Sequence, residues 1–142
     1  MIAQRFKMME TDRMTRANAS VIGVILAAVT MAVAMLIPKP KALDLFAMLL
    51  IFIAAIYVGF ALLDGRRREA LIETVMVALF FVLAILGLWV TPDFLVAGYV
   101  AHGAWDALHH PKAVQTKVVS WWPPFCLVYD WIIGGFIFLW WS

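Results

Sequence analysis

The sequence predicts an all-α integral membrane protein, a bundle of five transmembrane helices. Three observations carry this. Of the 142 residues, 65% are hydrophobic and only 14% are charged, where a soluble domain carries roughly 45–50% and 25%. The apolar residues gather into stretches near the ~20 residues that a helix needs to cross the hydrocarbon core. The breaks between those stretches hold prolines, glycine and charge runs. An open sheet cannot satisfy its backbone in lipid, and the alternating pattern of a transmembrane barrel is absent.

The polar residues 1–16 form an N-terminal segment ahead of a single transmembrane domain over residues 17–142. The first helix is expected over about residues 17–37. Pro38-Lys39-Pro40-Lys41 stops it, because proline lacks a donor and disfavours helix before it. The second covers about 42–63 and ends at the charged turn Asp64-Gly65-Arg66-Arg67-Arg68; the third covers about 70–90. Thr91-Pro92-Asp93 reads as an N-cap with proline at the first helical position, opening a shorter, more polar fourth helix over about 92–109. His109-His110-Pro111 closes it, and Pro123-Pro124 opens the fifth, about 123–141. Ala32-Val33-Ala34 resembles a signal-peptide cleavage site. The apolar run continues to Ile37, however, beyond the roughly 7–15-residue core of such signals, so the segment is expected to remain.

Basic residues set the orientation. Arg5, Lys7, Arg13, Arg16, Arg66, Arg67, Arg68, Lys112 and Lys117 fall on one side, and only Lys39 and Lys41 on the other. The positive-inside rule places the N-terminus in the cytoplasm and the C-terminus outside. Trp121, Trp122, Trp140 and Trp141 sit at the two ends of the fifth helix, where interfacial aromatic belts belong. The composition excludes a disordered chain. The formal charge of +2 is too small for nucleic-acid binding, and the single cysteine, Cys126, excludes an internal disulfide or a Cys-based zinc site.

Ionisable groups inside a membrane helix are costly and mark function by default. The fourth helix carries the densest set. His102, Asp106, His109 and His110 form the pattern H-x3-D-x2-H-H, which at about 100° per residue covers an arc of roughly 100°. Tyr99 joins this face. Imidazole and carboxylate together are a ligand set for zinc, iron or manganese. A structural His102–Asp106 pair, with His109 and His110 capping the helix end, is the competing reading. On the fifth helix Cys126, Tyr129 and Asp130 share a neighbourhood. Asp130 and Asp106 lie at similar depth on adjacent antiparallel helices, so they are placed to share a proton or a cation. Glu73, one turn inside the third helix, and Asp130 are the candidate catalytic bases. Tyr57, near mid-membrane, needs a partner for its hydroxyl. These groups map to the cytoplasmic half, so one polar pocket is expected there.

The stretches Ile56-Tyr57-Val58-Gly59-Phe60-Ala61-Leu62, His102-Gly103-Ala104-Trp105-Asp106-Ala107-Leu108-His109-His110-Pro111 and Trp122-Pro123-Pro124-Phe125-Cys126-Leu127-Val128-Tyr129-Asp130-Trp131 resemble an uncharacterised family of small bacterial integral membrane proteins. The resemblance spans most of the chain from the first helix onward. It implies a multi-helix fold in the bacterial inner membrane and no particular reaction.

Three functions compete. The first is a metal-dependent enzyme on a lipid-like substrate, with a divalent ion at His102, Asp106 and His110 and with His109 or Asp130 as a further ligand. The second is a non-catalytic subunit of a larger membrane complex, or a homo-oligomer. In it the small residues Ala55, Gly59, Ala97, Ala101, Gly134 and Gly135 serve close helix contact, and His102 is placed to ligate a haem or chlorophyll-type pigment. The third is a cation- or proton-coupled transporter. It is the weakest, because the outer half is nearly free of ionisable residues.

Overall fold

Proline and glycine decide where the helices end. The computed structural model describes residues 2–109 and 113–142. It contains α1 (Ile2–Leu36), α2 (Lys39–Asp64), α3 (Arg67–Trp89), α4 (Asp93–His109) and α5 (Trp122–Trp141), with no strand among the described residues. The α1–α2 break falls at Pro38, whose carbonyl then accepts from Lys41 and Ala42 at 2.8 and 3.0 Å. Gly65 ends α2 in the left-handed region at φ 77°, its N–H donating to the Ala61 carbonyl. A side chain is disfavoured there and glycine is not. At the start of α4 the Thr91 hydroxyl accepts from the Asp93 backbone N–H at 3.5 Å and donates to Asp93 Oδ2 at 3.1 Å.

Four helical stretches are long and apolar enough to cross a membrane: Thr15–Leu36, Lys39–Asp64, Arg67–Trp89 and Trp122–Trp141. The chain is therefore an all-helical, multi-pass membrane protein. The remaining helix, α4, has 17 residues, about 25 Å of rise. Helix α1 runs further than the apolar pattern, starting at Ile2 rather than near residue 17. No glycine or proline precedes Gly23, so nothing in the polar segment interrupts a helix. An Asp12–Arg16 ion pair at 2.6 Å, one turn apart, supports it.

The helices close a ring in the order α1, α5, α4, α3, α2, with α4 also touching α2 across the middle. The apolar residues face outward. Leu63 is 87% exposed, Leu139 77%, Leu62 68% and Phe52 65%. The interior holds an apolar layer from Phe46, Leu50, Leu95, Ile133 and Ile137, and it also encloses Glu73, His102, Asp106, His109 and Asp130. This distribution fits a lipid solvent, where the exterior gains nothing from polarity.

Close approach of α1 and α5 depends on Gly23. A Cβ there would stand 2.6 Å from the Phe125 carbonyl oxygen, a backbone atom of α5. Nothing lies within 4 Å of a Cβ at Gly59. Gly23→Ala is expected to lower stability by about 1–3 kcal/mol through overpacking, whereas Gly59→Ala changes it by less than about 1 kcal/mol. Unfolding of the two variants in detergent, followed by circular dichroism, checks the contrast. Equal effects would refute the packing argument.

Candidate functional site

Helix α4 places Tyr99, His102, Asp106 and His109 three or four residues apart, hence along one stripe, and all four are buried. Each reaches a different place. Tyr99 donates to the Phe46 carbonyl of α2 at 2.7 Å. His102 meets Asp130 of α5, Nδ1 to Oδ2 at 2.6 Å. Asp106 accepts from the Tyr57 hydroxyl of α2, at Oδ1, at 2.5 Å. His109 meets Glu73 of α3, Nε2 to Oε1 at 2.9 Å. The expected single pocket is thus resolved into two clusters, with the Tyr57 ring between them: it lies 4.5 Å from the His109 ring and 5.8 Å from the His102 ring.

The outer cluster centres on Glu73. Trp105 Nε1 donates to Oε2 at 3.1 Å, and the Thr116 hydroxyl donates to Oε1 at 2.6 Å. His109 Nδ1 lies 2.9 Å from the Trp105 carbonyl. A carbonyl only accepts, so Nδ1 carries a proton. One further proton is shared between Nε2 and Glu73. Every polar atom of the pair has a partner, and the pair is neutral as a whole. That is the arrangement a buried ion pair needs in order to persist. Thr116 comes from the connection between α4 and α5. Arg66 holds that connection through the Gln115 carbonyl, and Asp64 holds it through the Lys117 backbone N–H at 3.2 Å. Asp64 also binds Arg66 at 2.6 Å; this hydrogen bonding pushes the Arg66 guanidinium up from its ordinary pKa.

The inner cluster is His102, Asp106 and Asp130, all 0% exposed. One ligand atom from each lies within 4.8 Å of the others. Asp106 Oδ2 stands 3.3 Å from His102 Nδ1. Unlike the outer cluster, it is not saturated. His102 Nε2, Asp106 Oδ2 and Asp130 Oδ1 are buried without a hydrogen-bond partner. Its charge does not close either. Even with a protonated imidazole, two carboxylates leave one negative charge in a low-dielectric site, and no lysine or arginine forms an ion pair with these carboxylates among the described residues. Either a second proton or a cation is needed.

Tyr129 and Cys126 take no hydrogen bond in either cluster among the described residues. The Thr30 hydroxyl donates to the Leu26 carbonyl at 2.9 Å, so at the 3.2 Å contact the Tyr129 hydroxyl is the donor to Thr30. This ties α5 to α1. Cys126 is buried beside Ala19 and Phe125. His110 lies outside the described residues. Sequence reasoning missed Trp105 and Thr116 as partners of Glu73. An indole on a membrane helix reads as lipid-facing, and a threonine in a loop carries no signal of depth.

Residues 18–141 match the family of unknown function DUF6010. The chain belongs to this family. No curated protein and no solved structure matches it. For the DUF6010 chain, then, the site itself must supply the functional reading.

Breaking one half of the outer pair should be costly. Glu73→Ala is expected to destabilise the protein by about 3–5 kcal/mol, because it leaves His109, Trp105 and Thr116 without their acceptor. The double variant Glu73→Leu with His109→Leu should recover part of that loss. Unfolding midpoints of the two variants test this. A double variant less stable than Glu73→Ala would refute it.

Proposed function

We propose that this protein holds one divalent metal ion inside its membrane core, at His102, Asp106 and Asp130. The supporting observation is the unsatisfied cluster: three buried ligand atoms within 4.8 Å of one another, with both carboxylates retaining an unpartnered oxygen. One imidazole and two carboxylates suit manganese, iron or zinc. Ligands of a tetrahedral ion at ~2.0–2.1 Å lie about 3.3–3.4 Å apart. The cluster therefore has to open by under about 1 Å at the 2.6 Å contact. Tyr57, donating to Asp106 Oδ1, would orient that carboxylate from behind. A bound divalent ion supplies Lewis acidity and lowers the pKa of a coordinated water. The cavity of about 460 Å³ at the helix ends is lined by His109 and Thr116 and not by the triad. This favours a resident, enclosed ion over a metal open to a large substrate.

One observation favours a second reading, in which the cluster stores a proton. The 2.6 Å His102–Asp130 contact is a hydrogen-bond distance, and a second proton on the carboxylate pair balances the charge as a cation does. Elemental analysis and an absorption spectrum of the gently solubilised protein separate the readings. About one equivalent of zinc, iron or manganese is expected. It should be lost in His102→Ala, Asp106→Asn and Asp130→Asn and kept in Glu73→Gln, whose cluster is separate. Absence of metal from the unsubstituted protein overturns the metal reading. A Soret or chlorin band would assign His102 to a pigment instead.

The same proposal takes α4 as a fifth membrane span and the bacterial inner membrane as the location, with the N-terminus in the cytoplasm. The basic residues Arg16, Arg66 and Lys117 all gather at one end of the bundle, around the 460 Å³ cavity, while Lys39 packs over Trp140 and Trp141. In a Cys126→Ser background, a cysteine at Gln115 should be labelled from the cytoplasmic side, and one at Ser142 from the outside. The reverse pattern, with the cysteine at Gln115 labelled from outside and the one at Ser142 from the cytoplasm, would refute this placement of α4.

A further inference from the structure

Two cavities meet at one border on the surface of the bundle. The first, about 460 Å³, opens among Arg16 of α1, Arg66 between α2 and α3, and Lys117 and Ser120 of the α4–α5 connection. No acidic side chain lines it among the described residues. Asp12 pairs with Arg16, Asp64 with Arg66 and Lys117, and Glu69 stands 3.7 Å from Arg66. The lining itself is therefore cationic and rich in donors, with the partner carboxylates outside it among the described residues.

The second cavity, about 430 Å³, is an apolar groove between α1 and the start of α5. Ala19, Ile22 and Leu26 form one wall, and Trp121, Trp122 and Phe125 the other. The groove runs from Thr15 to Leu26, about 16 Å along the helix. That is close to the ~15 Å depth of one leaflet's hydrocarbon. The two cavities share their border: Thr15 and Arg16 are neighbours on α1, and Trp122 and Pro123 on α5, with one of each pair in each cavity.

We propose that the protein binds one anionic phospholipid, its phosphate among Arg16, Arg66 and Lys117 and one acyl chain along Ile22, Leu26 and Phe125. A cationic polar chamber joined to an apolar trough of leaflet depth matches an amphiphile with a negative head. A soluble anion leaves the trough unused, and a second protein chain leaves the charge unmatched. The site is independent of the metal cluster, which lines neither cavity.

The test is native mass spectrometry of the full chain in detergent, titrated with phosphatidylglycerol or phosphatidylcholine of identical acyl chains. Phosphatidylglycerol should be retained roughly tenfold more strongly. Lys117→Gln, at an exposed side chain, should weaken phosphatidylglycerol about fivefold, the effect of one interfacial cation, and leave phosphatidylcholine unchanged. Ile22→Trp, which fills the groove, should weaken both lipids. Equal retention of the two lipids, or no effect of either variant, overturns the proposal. Displacement of the lipid by millimolar inorganic phosphate also overturns it and marks a soluble-anion site. Metal content is read in the same samples: loss of metal with lipid retained, or the reverse, shows which of the two proposals has failed.

Discussion

The placement of carboxylates in a solvent that cannot hydrate them governs this structure. Glu73, Asp106 and Asp130 are fully enclosed, and an unpartnered charge at such depth costs several kcal/mol or more. Each must find its partner inside the protein, and helix α4 supplies or receives nearly all of them. From one stripe it contacts α2 twice, through Tyr99 and Asp106, α3 through His109, and α5 through His102. Lipid offers no hydrophobic force to bring helices together. The polar stripe of the shortest helix therefore fixes the register of the longer helices around it.

The two clusters on that stripe solve the same problem differently. Around Glu73 there are enough donors to partner both oxygens, and one of them, Thr116, comes from a connection that Asp64 and Arg66 tie down. The outer cluster is closed and neutral, and it fastens the end of the bundle. Around His102 the ratio is reversed, with two carboxylates to one imidazole and one tyrosine hydroxyl. A purely structural pair has no need of the second carboxylate. Asp130 adds a second carboxylate to one imidazole with no lysine or arginine paired to either among the described residues, and this imbalance is what the proposed metal, or a second proton, would offset.

Much of the fold was legible in the sequence, because lipid simplifies the code. Helix length is set by membrane thickness, and the breaks fall at Pro38, Gly65, Pro92 and Pro123, where backbone chemistry leaves little choice. The extension of α1 to Ile2 was not legible. Apolar periodicity marks where a helix is buried or lipid-facing, and a polar helix without glycine or proline leaves no such mark. Within the site, the 102–106–109 spacing and the matching depth of Asp106 and Asp130 follow from helical geometry alone, and the structure brings those carboxylates together around His102. The division into two clusters was hidden. It depends on the Tyr57 ring, which comes from α2, and on Thr116, which comes from a connection whose path no periodicity describes.

Small residues complete the arrangement, and they show why site and fold are difficult to separate here. An added Cβ at Gly103 would stand 2.5 Å from the Trp131 ring, and at Gly134 3.3 Å from Tyr99 Cβ. Gly103 and Gly134 thus let α4 and α5 approach on both sides of the His102–Asp130 contact. That approach brings the second carboxylate within 2.6 Å of the imidazole. A wider spacing would leave Asp130 beyond reach of His102 and still buried, at the full cost of an unpaired charge. The close helix pair is thus the condition for bringing two carboxylates to one imidazole. On the metal reading proposed above, the bound ion would supply the missing positive charge, and occupancy of the centre and stability of the α4–α5 contact would be linked quantities.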